Sequence, residues 1–253
     1  MRRQSPRTEP DALLIRGLRR PPRRRPAPCR SCRRCPPSRP GVGAAVIPLD
    51  PSLPAAGQTL AEEVARRGLE VTSVVNNAGF GAFGPFHTED PKRLGQQVRV
   101  DIAAVVDISR AFIEPLRTAG AGMLVNVAST AAYVRVPNMA VHAAAKAFVL
   151  HFTEALWHES RGTGLRVLAL SPGATSIEFF DVVGADAADG GSKRRSPQDV
   201  VATALRTLDR RTPPPSVVSG RLNRAMAALA RTAGRRRTVR FMGSTTSARQ
   251  PVP

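Results

Sequence analysis

Aromatic side chains are scarce in this chain, at 4% of residues, with one Trp and one Tyr. That scarcity argues against a nucleic-acid surface built on stacked bases, although the formal net charge is +19. Long apolar runs are missing as well. No stretch of roughly 18 apolar residues occurs, so the pattern offers no membrane-spanning helix. The Arg-rich start also lacks the apolar centre of a secretory signal. Cysteine is confined to Cys29, Cys32 and Cys35, so the rest of the chain carries no disulfide framework. Those three sit among Arg, Ser and Pro without a fourth ligand, and His87 is the nearest histidine. A metal site needs more donors than that, and no metal is expected. Acidic residues are absent from 210–253, which hold 10 Arg; residues 1–42 carry 13 Arg against Glu9 and Asp11. The stretch between is left at a net −2. The basic character therefore belongs to the two ends and not to the domain.

What is present is a long alternation of strand and helix signals. Residues 1–42 have no lasting periodicity and read as a disordered Arg/Pro-rich segment. From Val42 the pattern changes. Ala44 to Pro48 reads as a short strand ending at Asp50. Leu60 and Val64 mark a helix face closed by Gly68. Glu70 to Val75 reads as a strand followed by Asn76-Asn77-Ala78-Gly79. Thr88-Glu89-Asp90-Pro91 opens a helix, with Leu94, Val98, Ile102, Val105, Phe112 and Leu116 at helical spacing. Met123 to Ala128 is a strand, Asn138 to Ser160 a long helix, and Leu165 to Leu170 a strand ended by Ser171-Pro172-Gly173. A helix from Pro197 to Leu208, a short strand at Ser216 to Val218 and a basic helix from Leu222 to Ala233 complete the pattern. The organisation expected is a domain over 43–220 with a basic helix and tail over 221–253. Apolar strands alternating with helices predict an α/β fold with a parallel sheet covered on both faces. Polar residues follow each strand, where such sheets bind ligands.

These residues resemble the classical short-chain dehydrogenase/reductase family. The motifs are Asn76-Asn77-Ala78-Gly79, Ser129 at a strand end, the helix ending in Lys146, and Ser171-Pro172-Gly173-Ala174-Thr175. The resemblance implies an incomplete Rossmann-like doubly wound sheet in a single domain. It implies NAD or NADP as cofactor and a small carbonyl or alcohol as substrate, with hydride transferred between them. By this resemblance Asp50 lies beside the adenine. Asn77, Ala78 and Gly79 line the cofactor and brace the central strand. Pro172, Gly173 and Thr175 belong to the nicotinamide end. Ser129 bonds the substrate oxygen, and Lys146 holds the nicotinamide ribose. A cytoplasmic protein is expected. Pairing into a homo-oligomer through the apolar 139–157 helix is one reading of that helix; a buried core helix is the other.

Four departures from the family pattern are visible. The Thr-Gly-x-x-x-Gly-x-Gly turn that holds the pyrophosphate is absent from the sequence, as are the first two strands; a shifted gene start would account for residues 1–42. His142 stands where the family has its tyrosine, four residues before Lys146, and Tyr133 cannot fill that slot. Asp101 stands where an asparagine is usual. Ile177 stands where a threonine is usual. A histidinium donates protons well, but Lys146, one helical turn on, opposes a second positive charge there. Losing a general acid costs roughly 10²–10⁴ in rate. The plainer reading of His142 is a helix residue in a decayed site. An impaired or inactive enzyme is therefore expected. The rival expectation is a non-catalytic scaffold whose basic ends bind nucleic acid or anionic surfaces. The missing strands should also leave the Asn77 strand as an apolar edge, hence a marginally stable monomer.

Overall fold

In the computed structural model, residues 45–175 and 195–247 are described. The expectations for residues 1–42, Ile177 and the substrate loop after Phe180 fall outside them. The elements run α1 (Ala56–Arg66), β1 (Ser73–Asn76), α2 (Pro91–Val98), α3 (Ala104–Thr118), β2 (Met123–Val127), α4 (Ala140–Glu159), β3 (Arg166–Ser171), α5 (Pro197–Leu208), β4 (Ser216–Val218), α6 (Arg221–Thr232) and α7 (Arg235–Ser247). The strands form one parallel sheet in the order β1-β2-β3-β4.

Period-two alternation in the strands builds the two faces. Register places Val74 opposite Leu124, and Leu124 opposite Val167. That row packs against Leu60 and Val64 of α1 and against Ile108, Phe112 and Leu116 of α3. The next row, Val75, Val125 and Leu168, points the other way and meets Val200, Ala204 and Leu208 of α5. Both faces are therefore covered, as the apolar strands predict. The third row is polar. Asn76 Nδ2 donates to Asn126 Oδ1 at 2.8 Å and to Ser109 Oγ at 3.1 Å. Asn126 Nδ2 donates to Thr153 Oγ1 at 3.0 Å. One chain of side-chain bonds thus joins β1, β2, α3 and α4 in the core.

Three expectations change. The strand expected at Ala44–Pro48 does not form: residues 45–50 have no ladder. A strand needs a partner, and among the described residues β1 pairs only with β2. The segment is held instead by Ile47, buried in the α1–α3 cluster, and by Arg67, which donates to Val46 O at 2.8 Å. Glu63 anchors this corner. Hydrogen bonds from Arg66 and Arg67 hold its carboxyl down to about 2. Its contribution is present above the ordinary carboxylate range and is lost as pH falls toward that value. Second, the long helix from Pro91 is interrupted by a π-helical turn at Arg99–Ala103. Asp90 is its cap, accepting from Lys92 N at 2.9 Å. Third, the basic end makes two helices, α6 and α7, separated by Ala233 and Gly234. The long helix α4 is mostly core on one face, while Phe148 stays 39% exposed.

Two outcomes are expected. With one edge of β1 unpaired among the described strands, the purified chain should melt at or below about 50 °C, the low end for mesophilic domains; a cooperative transition well above that would count against it. Asn126→Ala removes the acceptor of one Asn76 amide N–H and the donor to Thr153 Oγ1, leaving the Asn76–Ser109 and Thr153–Val149 bonds; it should cost about 1–3 kcal/mol, read by urea unfolding.

Candidate functional site

The polar signals meet at the carboxyl ends of β1, β2 and β3. Lys146 is buried on α4, and its Nζ donates to Val127 O, the last residue of β2, at 3.0 Å. Gly79 lies between this ammonium and Asp101. A Cβ there would stand 3.1 Å from Lys146 Nζ and 2.8 Å from Asp101 Oδ1, so a larger residue would require one of these side chains to shift. Ser129 caps a short 3₁₀ turn, Thr130–Tyr133, its Oγ accepting from Ala131 N at 3.1 Å. Thr130 N donates to Pro172 O at 2.8 Å, tying the Ser129 turn to the end of β3.

His142 is buried one turn before Lys146 on α4. Its Nδ1 lies 3.3 Å from Phe80 O and 3.7 Å from Asp101 Oδ2. Asp101 is wholly enclosed within the π turn. Its Oδ1 accepts from Phe80 N at 3.0 Å, and its Oδ2 is buried without a hydrogen-bond partner. A π turn inside a helix frequently marks a functional position; here it carries a buried carboxylate that faces the histidine. Spacing along the chain sets only Lys146 against a charged His142. The structure adds a countercharge at Asp101.

The cofactor-side residues spread over two regions. Asp50 is exposed, its Oδ1 accepting from Ser52 N at 2.9 Å. Its neighbours Leu49 and Pro51 line a shallow, open apolar groove with Asn76, Ala78, Val100 and Ala104. Asn77 is exposed at the end of β1, and the bracing of the strand falls to Asn76. At the other end, Gly173 lies under Asn223 of α6; a Cβ on it would reach within 2.3 Å of the Asn223 amide. Thr175 Oγ1 donates to Gly173 O at 3.0 Å. Tyr133 stands on the 3₁₀ turn, its hydroxyl 3.4 Å from Ser171 Oγ and its ring 5.2 Å from the Arg231 guanidinium. It is not on α4, as its spacing requires.

Fit to a dinucleotide is divided. The shallow groove beside Asp50 offers an apolar face to a base but does not enclose one, while the Lys146 ammonium and the Pro172–Gly173 turn offer a cation and backbone at the other end. Among the described residues no glycine-rich turn offers backbone N–H groups to the pyrophosphate between them. Several contributors were missed by sequence reasoning: Asn76, Asn126, Asn223 and the Phe80 peptide. Only the doubled Asn at 76–77 gave any signal.

Comparison with known proteins places the chain in a family. The model of the short chain dehydrogenase family matches residues 24–187, more than half of the chain. The chain belongs to the short-chain dehydrogenase family. The match begins inside the Arg/Pro-rich segment read above as lying outside the domain. A protein named inactive 2-(S)-hydroxypropyl-CoM dehydrogenase 2, from Xanthobacter autotrophicus, is 33% identical over 42% of this chain and 46% of its own. Sulfoacetaldehyde reductase 2 of Chromohalobacter salexigens is 34% identical over 48% and 49%. The chain thus spans about half the length of the curated relatives it matches. A short-chain dehydrogenase from Streptomyces avermitilis superposes with a TM-score of 0.64 at 21% identity over 81% of this chain and 80% of that one. One from Sphingobium yanoikuyae, solved with NADPH, gives 0.61 at 23% identity over 74% of each. The family is one of oxidoreductases with an NAD(P)-binding Rossmann-type fold, and the parallel sheet found here is of that kind. Among the described residues no helix is long and apolar enough to cross a membrane, and no cluster of three His, Cys, Asp or Glu could hold a metal.

Gln97, which lines a small cleft with His142, is fully buried with neither amide atom hydrogen-bonded. Removing an unpartnered buried amide should help the fold. Gln97→Leu is expected to raise stability by about 1–3 kcal/mol, measured as a shift of the urea midpoint at constant slope; a loss of stability would show that the amide is satisfied in solution.

Proposed function

We propose that this chain is an NAD(P)-dependent oxidoreductase that exchanges a hydride with a small carbonyl or alcohol, and that it turns over slowly. The observation that carries the reading is Lys146: a buried ammonium delivered to the end of β2, facing Gly79 and the mouth of the sheet. Its neighbours on α4 are almost all apolar, so a cation held there serves the site rather than the surface. Solved relatives bound to NADPH and NADP support the cofactor class.

When bound, the nicotinamide would supply or accept the hydride. The chain's own residues do the rest. Lys146 holds the ribose hydroxyls and adds positive potential near the reacting oxygen. Ser129, at the lip of the β2 turn, offers its hydroxyl to that oxygen. His142 stands where the proton must be given or taken. Asp50, with the Leu49–Pro51 groove, receives the adenine end, and Pro172 and Gly173 wall the nicotinamide end. Two features make the rate low. Imidazole is shorter than a phenol, and the pyrophosphate has no backbone cradle among the described residues. One relative is itself named inactive, which supports impairment as a property that arises in this family.

A second reading is a non-catalytic scaffold acting through its basic ends. One observation favours it: Leu222, Met226 and Leu229, on one stripe of α6, are 76%, 48% and 61% exposed beside an Arg-rich α7. Binding to DNA or anionic vesicles that weakens with salt, without nucleotide binding, would support that reading.

The test is oxidation of NADPH and of NADH with a panel of aldehydes and ketones. The expected turnover is below about 1 s⁻¹, under the usual enzyme range. Lys146→Met should lower it by about 100-fold or more while the chain stays folded. No oxidation with any carbonyl, together with no NADPH-induced shift in the melt, would overturn the proposal.

A further inference from the structure

Asp101 and His142 are separate departures in the sequence and neighbours in the fold. We propose that they are one unit: Asp101 is the positioning residue and charge partner of His142, and the pair stands in for the tyrosine as the proton-carrying group. This rests on the oxidoreductase reading above and deepens it.

The geometry is specific. His142 Nδ1 lies 3.7 Å from Asp101 Oδ2, and both side chains are buried, at 6% and 0% exposure. The two are joined through one peptide unit. Phe80 N–H bonds Asp101 Oδ1 at 3.0 Å, and Phe80 C=O lies 3.3 Å from the same His142 Nδ1. The ring is therefore turned with Nδ1 toward the protein, which assigns proton transfer to Nε2. A buried carboxylate oxygen without a hydrogen-bond partner is costly, and Asp101 Oδ2 is one. An imidazolium at His142 faces that oxygen and offsets the cost. Charged side chains near the ring, among the described residues, include Asp101 from the π turn, Lys146 one turn along α4, Glu89, which lines the small cleft beside His142, and Arg93 of α2, which donates to Gly81 O. Lys146 alone would oppose a second cation. Asp101 answers both, with Oδ1 facing Lys146 across Gly79 and Oδ2 facing His142. An asparagine at position 101 would supply a neutral amide and leave two cations without an anion. The carboxylate therefore makes sense with a histidine at 142, and the amide with a neutral phenol.

In the reducing direction the step balances as follows. When bound, a reduced nicotinamide would supply a hydride, with its electron pair, for the new C–H bond at the carbonyl carbon. The π pair moves to the oxygen. The Nε2–H bond of His142 breaks, its electrons stay on the ring, and the proton forms the O–H bond. The products are alcohol, oxidised nicotinamide and neutral imidazole; Asp101 remains a carboxylate throughout. Alcohol oxidation runs the same step backward.

The decisive experiment compares four full-length proteins: the natural chain, Asp101→Asn, His142→Tyr and the double variant. Two readouts are taken, kcat and KM for carbonyl reduction and the ¹⁵N spectrum of the histidine rings at one fixed pH. In the natural His142 background, Asp101→Asn should lower kcat about tenfold or more with KM little changed. In the His142→Tyr background the same change should raise kcat, because a carboxylate beside a phenol hinders its ionisation. A reversal of sign is not what a merely structural residue would give. The His142 ring ¹⁵N signals should differ between the natural chain and Asp101→Asn, because Nδ1 loses the carboxylate oxygen it faces. Asp101→Ser makes the same comparison if the asparagine variant does not fold. Equal imidazole signals in the natural chain and the variant, or an effect of the same sign in both backgrounds, overturns the proposal. If none of the four turns over, the ring spectrum still decides the pairing, and the silence counts against the oxidoreductase reading alone.

Discussion

The side-chain amides of Asn76 and Asn126 meet inside the sheet, 2.8 Å apart, where neither reaches water. Leaving either one unpaired would cost more than the bond itself contributes, so the register of β1 on β2 is strongly held. The same amides reach out of the sheet to Ser109 on α3 and Thr153 on α4. Each helix is thereby fixed in rotation as well as position. Lys146 is seven residues before Thr153, two turns along the same face. Asp101 is eight residues before Ser109, on the face that the π turn redirects toward α4. The carboxyl end of the sheet is therefore suspended from a row of polar side chains just beneath it. A change in that row would move His142, Lys146 and Asp101 together.

Above that row the constraint is one of charge. Two basic side chains, His142 and Lys146, enter a space with one enclosed carboxylate. Lys146 donates to a neutral carbonyl, so Asp101 is the nearby anion for both. Gly79 is what lets the three approach, because a larger residue there would require the carboxylate or the ammonium to shift. The motif glycine thus acts less as a flexible joint than as an empty volume.

Much of this was legible in the sequence, and the reasons differ by element. Helix α5 and strand β4 fall where periodicity and the Ser196–Pro197 start place them, since local signals suffice there. Ser129, His142 and Lys146 were singled out by the family resemblance, and the structure sets them near the carboxyl ends of β1 and β2. The Ala44–Pro48 strand failed because a strand is a relation between segments, and its residues say nothing about whether a partner is present. The π turn at Arg99–Ala103 and the second basic helix were likewise invisible: an added residue in a helical turn leaves the apolar spacing of Val98, Ile102 and Val105 nearly intact. The Asp101–His142 approach could not be read because the residues are far apart in the chain and are joined through Phe80, whose side chain carries no hint of its peptide's role.

In the proposed nucleotide site the two ends would rest on unequal supports, and this bears on rate as well as affinity. The nicotinamide end is built from the turns after β2 and β3, the two strands paired on both sides, and is tied by Thr130 N to Pro172 O and roofed by α6 through Asn223. The adenine end is built from β1, an edge strand among those described, and from the 45–51 segment. That segment forms no ladder and is held by Ile47 and by the Arg67 bond to Val46. Remote binding energy positions a nicotinamide for hydride transfer only if the remote end is itself rigid. Here the rigid end carries the chemistry and the weaker end carries the anchor. A cofactor held mainly by its reacting end gains little positioning from its other half, so the cost of the weak adenine support falls on turnover and not on affinity alone.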